Sequence, residues 1–111
     1  MTPITEILVE SDLVAALKQS NEQPVLIFKY SPTCIISRYA EKEYENFAKS
    51  NPQVTLYKVN VVQQRPLSQS LAATTNVQHQ SPQALLIKNE SCMWNDSHNQ
   101  INLQSLKKAT E

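Results

Sequence analysis

The sequence predicts an α/β fold, a central mixed sheet of four to five strands flanked by helices. Three observations carry that prediction. Nearly continuous apolar runs rich in β-branched residues, PVLIFKY from Pro24, VTLYKVNVV from Val54 and ALLI from Ala84, have the pattern of strands covered on both faces. Segments with apolar residues at helical spacing separate them. The last run leads into Lys88-Asn89-Glu90-Ser91, a hairpin turn signal that adds antiparallel pairing to a sheet begun by βαβ units. The chain has 111 residues, the size of one domain spanning 1–111.

The elements follow in order. Residues Thr2 to Ile7 read as a short edge strand. Ser11 is the expected N-cap of a first helix, with Asp12 in its first turn, Leu13, Val14 and Leu17 on its apolar stripe, and its end near Asn21. Pro24 opens the first interior strand. In the longest helix Ile36, Ala40, Tyr44, Phe47 and Ala48 recur at about 3.6 residues, while Glu41, Lys42, Glu45 and Lys49 take the opposite face. Asn51-Pro52 ends it. The second interior strand follows, and Pro66 suits the first turn of a helix running to Asn76 with Leu67, Leu71 and Ala72 on its apolar edge. Residues 84–87 form a third strand, and Cys92-Met93-Trp94 its returning partner. Asn102 then caps a last helix bearing Leu103 and Leu106, with Lys107 and Lys108 near its C-terminus.

Glycine is absent altogether. That excludes the G-x-G-x-x-G dinucleotide turn, the Walker loop and the G-x-S-x-G nucleophile elbow. Left-handed backbone must fall mainly to asparagine, with Asn51, Asn60, Asn76, Asn89 and Asn95 as candidates. Ten basic side chains balance ten acidic ones, which supplies no surface for phosphates and argues against nucleic acid. The first residues lack a signal-peptide h-region, and no apolar run reaches the ~20 residues of a membrane span. With two cysteines, a cytoplasmic, reducing setting with free thiols is expected.

Cys34 stands just after a buried strand and at the start of the longest helix. Strand C-termini are where α/β sheets form sites, and a helix N-terminus favours thiolate over thiol. The competing reading is a small hydrophobe filling the junction. Ser37, one turn on, gives C-x-x-S: it can hydrogen-bond the sulfur and cannot form an internal disulfide, which implies exchange by one thiol. Ser81-Pro82 precedes a buried strand. A cis bond there would free the preceding backbone for an extended substrate, and an ordinary trans proline would also fit.

These features, with Pro82 48 positions after Cys34, resemble the thioredoxin superfamily and, within it, the monothiol bacilliredoxin-like family of the bacillithiol redox system. The family's Cys segment stands here as Ser31-Pro32-Thr33-Cys34-Ile35-Ile36-Ser37, and its W-x-x-S-H motif as Trp94-Asn95-Asp96-Ser97-His98. Ile35 replaces the proline usual after the cysteine, and Cys92 lies outside the motif. The resemblance implies a thioredoxin fold and removal of bacillithiol from protein mixed disulfides, with Cys34 accepting it and Ser37 supporting the thiolate. Thr33, Ser81, Pro82, Ser97 and His98 would bind the substrate. Bacillithiol is then a co-substrate with no tightly bound cofactor. The partners are bacillithiolated client proteins, a low-molecular-weight thiol and a possible partner reductase, with no membrane or nucleic acid. Monothiol glutaredoxins are a poorer match, because they rely on glycines beside the cysteine and after the proline.

Other candidates are weaker. Cys92 should lie roughly 15–20 Å from Cys34, too far for a disulfide. His98 could act on a bound thiol, although such a histidine is more often a loop residue satisfied by backbone. Trp94 reads as core or cleft wall, and Tyr30 and Tyr39 as half-buried aromatics near the groove. His79 precedes Pro82 without further signal. The histidines and cysteines lack zinc-site spacing, so no metal is expected. The alternative function is a non-catalytic thioredoxin-fold binding or redox-sensing module.

Overall fold

A computed structural model describes residues 4–111. The elements are β1 (Ile4–Glu6), α1 (Glu10–Gln19), β2 (Val25–Tyr30), α2 (Ile35–Ser50), β3 (Thr55–Asn60), α3 (Arg65–Thr75), β4 (Gln83–Lys88), β5 (Ser91–Ser97) and α4 (Leu103–Ala109), with a single 3-10 turn at His98–Gln100 before α4. The β-α-β-α-β-α-β-β-α order matches expectation. Of the predicted edge strand, Thr2 and Pro3 lie outside the described residues.

The sheet order is β1-β3-β2-β4-β5. β3 pairs in parallel with β1 and β2, β4 runs antiparallel to β2, and β5 is antiparallel to β4. β2 is therefore central, and all six of its residues are buried. Alternation along it divides the core. Val25 and Ile27 pack with Leu13 and Leu17 of α1 and Leu67 and Leu71 of α3. Leu26, Phe28 and Tyr30 pack with Ala40, Tyr44 and Phe47 of α2 and Leu106 of α4.

Local chemistry moved several boundaries. The N-cap of α1 is Val9 rather than Ser11, because the Asp12 carboxylate reaches back to accept from the Leu8 and Val9 N–H groups. Val14 and Leu103 are exposed, so the apolar stripes of α1 and α4 are narrower than predicted. Glu41 leaves the solvent face for a half-buried ion pair with Lys58. β5 runs on to Ser97, past the predicted Trp94. Asn102 caps α4 as expected, its side chain accepting from Ser105 N–H at 2.9 Å.

Positive φ occurs at Asn76, Asn89, Glu90 and His98. Two of the five asparagine candidates thus take it. Asn51, Asn60 and Asn95 do not: Asn51 sits at φ −134°, and Asn60 bends the chain with its side chain, Oδ1 accepting from Val62 and Gln63 N–H. Asn89 and Glu90 together make the two-residue hairpin turn, which needs both central residues left-handed. The Ser81–Pro82 peptide bond is cis.

Candidate active site

Ser31 to Cys34 form a tight turn in which the Cys34 N–H donates to the Ser31 carbonyl at 3.2 Å. Pro32 occupies its second position, where a fixed φ suits the geometry. Cys34 is the N-cap of the 16-residue α2, with extended φ −96° and ψ 128°, and its carbonyl accepts from Arg38 N–H at 3.0 Å. The thiol is half-buried and free. A sulfur at this position sits where the unpaired N–H groups of the first turn converge.

Ser37 is buried at 1% exposure, and its Oγ accepts from the Ser31 N–H at 2.8 Å. Its acceptor side therefore closes the turn that presents Cys34, a role the sequence reading did not give it. A hydroxyl that accepts one bond keeps its proton for another acceptor.

Antiparallel pairing brings the Ser81–Pro82 segment to the same pole. Gln83 lies opposite Lys29 at the end of the β2–β4 register, so Ser81 continues to the level of Ser31. Among the described residues, neither the N–H nor the C=O of Ser81 enters a backbone hydrogen bond, and its buried Oγ has no partner. The Pro82 carbonyl accepts from His98 N–H at 2.9 Å. Ser97 is paired with Gln83. The Trp-to-His motif thus returns to the cysteine pole at its far end only.

His98 has positive φ, 57°, and an exposed side chain. It lines a groove with Asn99 on one side and Ile36, Tyr39 and Glu43 of α2 on the other. Ile36, expected in the core, is 45% exposed, and Tyr39, expected half-buried, is 71% exposed. With Ile35 at 66% they make the first turns of α2 an open apolar surface beside the sulfur. Thr33 is exposed at the same rim.

Other candidates sit elsewhere. Tyr30 is more buried than predicted, stacks on Phe28 and donates from its hydroxyl to Glu6 at 2.9 Å; burial first, then Glu6, raises its pKa. Trp94 packs on the α2–α4 side of the sheet. Cys92 pairs with Ile87, itself opposite Val25, which places it the length of β2, about 16 Å, from the cysteine pole. Its Sγ donates to the Trp94 carbonyl at 3.2 Å, and burial raises its pKa. Burial, followed by the charges of Lys29 and Arg65, lowers that of His79. Among the described residues no three His, Cys, Asp or Glu side chains gather as metal ligands.

Lys29 and Gln83 escaped the sequence reading. The available signal was a lone charge interrupting PVLIFKY, a run otherwise made for burial on both faces. Lys29 is 0% exposed, and its Nζ donates to Gln83 Oε1 at 3.0 Å.

Comparison with known proteins bears on this geometry. The family model described as Monothiol bacilliredoxin BrxC matches residues 5–106. A solved structure described as a candidate oxidoreductase with a thioredoxin fold is 31% identical, with a TM-score of 0.88 and coverage of 97% of this chain and 94% of that one. Fasciola hepatica thioredoxin is 20% identical with a TM-score of 0.77, covering 96% of each chain. Malassezia sympodialis thioredoxin is 15% identical at 0.80, covering 99% of this chain and 90% of its own. These likenesses identify the architecture as the thioredoxin fold.

Proposed function

The chain belongs to the monothiol bacilliredoxin family of thiol oxidoreductases, and from that premise we propose that it removes bacillithiol from protein mixed disulfides through Cys34. The observation that carries the reading is a free, half-buried sulfur at the N-cap of α2, at the pole of the sheet that also carries an unengaged Ser81 backbone.

The reaction is two exchanges. The Cys34 thiolate attacks the bacillithiol sulfur of the mixed disulfide; a new S–S bond forms as the old one breaks, and the client cysteine leaves as thiolate. No net oxidation has occurred. A second low-molecular-weight thiol, or a thiol of a partner reductase, then attacks the bacillithiol sulfur of Cys34–S–S–bacillithiol as its thiolate. Cys34 leaves as thiolate, and the bacillithiol departs in a disulfide with the attacking thiol, which the reductant must later reduce.

Each neighbour has a part in this reading. Ser37 holds the 31–34 turn and keeps a hydroxyl proton for the sulfur. The Ser81 N–H and C=O pair with the extended client chain, and Pro82 fixes that segment against His98. Thr33, Ser97 and His98 line the space for the small thiol. Bacillithiol enters as co-substrate, with no resident cofactor or metal. Free thiols suit a cytoplasmic setting, where reductants keep them so. Among the described residues no helix is long and apolar enough to cross a membrane.

The test is incubation with bacillithiol disulfide followed by intact mass. One adduct, mapped to Cys34, abolished by Cys34→Ser and retained by Cys92→Ser, is expected. No adduct, or one on Cys92 alone, overturns the reading and leaves a thioredoxin-fold binding module.

A further inference from the structure

Among the described residues Lys29 is the one charged side chain in the buried class. A buried ammonium with sparse compensation is costly, and cores rarely keep one without use. Among the described residues its Nζ donates to Gln83 alone. The same Gln83 oxygen accepts from the Gln80 N–H at 3.4 Å, and Gln83 Nε2 donates to the Gln78 carbonyl at 3.1 Å. Lysine can only donate, so it fixes which end of the Gln83 amide faces inward and which faces Gln78. One cation thereby orients an amide that grips both ends of residues 78–80. The very next residue is Ser81, whose N–H and C=O are unengaged.

We propose that Lys29 and Gln83 are positioning residues for substrate: through the Gln83 amide, Lys29 holds the Gln78–Gln80 backbone so that Ser81 meets the extended chain of a client protein already ordered. Preordering reduces the entropy lost on docking, and so acts on affinity rather than on the sulfur chemistry. The proposal rests on the exchange reaction above.

The test compares a protein–bacillithiol mixed disulfide with reagents too small to use the Ser81 backbone. Lys29→Met and Gln83→Glu should raise KM for the protein substrate about tenfold, the change that one lost hydrogen-bond-sized interaction produces, with kcat little changed. Alkylation of Cys34 by iodoacetamide should stay within about twofold of wild type, the scatter that unaffected chemistry allows. Gln83→Glu keeps an acceptor for Lys29, now charged, and replaces the donor to Gln78 by a carboxylate oxygen that its carbonyl repels, so it reports even where Lys29→Met folds poorly. Unchanged KM in both variants, or alkylation falling in step with exchange, overturns the positioning role while leaving the proposed function intact. A wild type inert towards the mixed disulfide overturns the function itself and the positioning role with it.

Discussion

Ser37 and Cys92 show how little a residue's type says about its task. Ser37 was legible as a site residue from its place one turn after Cys34, yet its partner, the Ser31 N–H, comes from the preceding turn. Replacing it with alanine orphans that half-buried donor. Ser37→Ala is expected to lose about 1–2 kcal/mol of stability in urea titration and to slow exchange at Cys34 by loosening the turn. Cys92 is a sulfur of the other kind. Burial disfavours its thiolate by more than hydrogen bonding from the Trp94 backbone and the Asn95 side chain favours it. In a Cys34→Ser variant, iodoacetamide near pH 8 should label Cys92 more slowly than it does in the same chain unfolded in urea, a difference read by mass.

At the level of elements, α2 is held from beneath. The Tyr44 hydroxyl is fully buried and lies 2.8 Å from the Tyr57 carbonyl and 3.2 Å from that of Leu26. It thus ties the helix that carries Cys34 to both central strands. Tyr44→Phe should cost about 1 kcal/mol in chemical denaturation, with Cys34 alkylation unaffected because the site lies a full helix turn and more away. The β4–β5 turn is the other instructive element. Glu90 holds φ 64°, a conformation that penalises a side chain with a Cβ. Its carboxylate gives back a contact to Asn21 at 2.7 Å, exposed to solvent. Glu90→Gly is expected to stabilise the fold by about 0.5–1 kcal/mol, measured as a rise in urea midpoint.

The whole molecule adds a dependence on pH. Burial lowers Lys29 to about 8, below the ordinary lysine value of about 10.4. Below about pH 8 both folded and unfolded chains carry the proton and the desolvation penalty is complete. Between there and about 10.4 the unfolded chain binds more protons, so stability rises with pH. Tyr30, Tyr44 and Tyr57 have raised values and oppose this trend only above about pH 10, where the folded state retains protons that the unfolded state has lost. Unfolding free energies should therefore rise from about pH 7.5 to 9.5 in the wild type relative to Lys29→Met, whose profile lacks that term. Parallel profiles for the two proteins would remove Lys29 as the source.

The order of elements, the burial of the first interior strand on both faces and the approach of Ser81-Pro82 to Cys34 were all legible in the sequence alone. They depend on periodicity, on proline and on strand length, which are local properties or simple consequences of them. Three things were decided only in three dimensions. Asp12 displaced Ser11 from the start of α1 because a carboxylate could reach two N–H groups at once. The irregular register between Leu86 and Ile87 leaves Met93 unpaired, so Cys92 and Trp94, two apart and nominally on one face, pack against opposite sides of the sheet. Lys29 kept its charge inside because Gln83, 54 residues later, arrives directly across from it. Each is a choice among partners distant in sequence or in competition for one donor. Such choices depend on which groups the packed sheet brings within hydrogen-bond reach, and no local pattern encodes that distance.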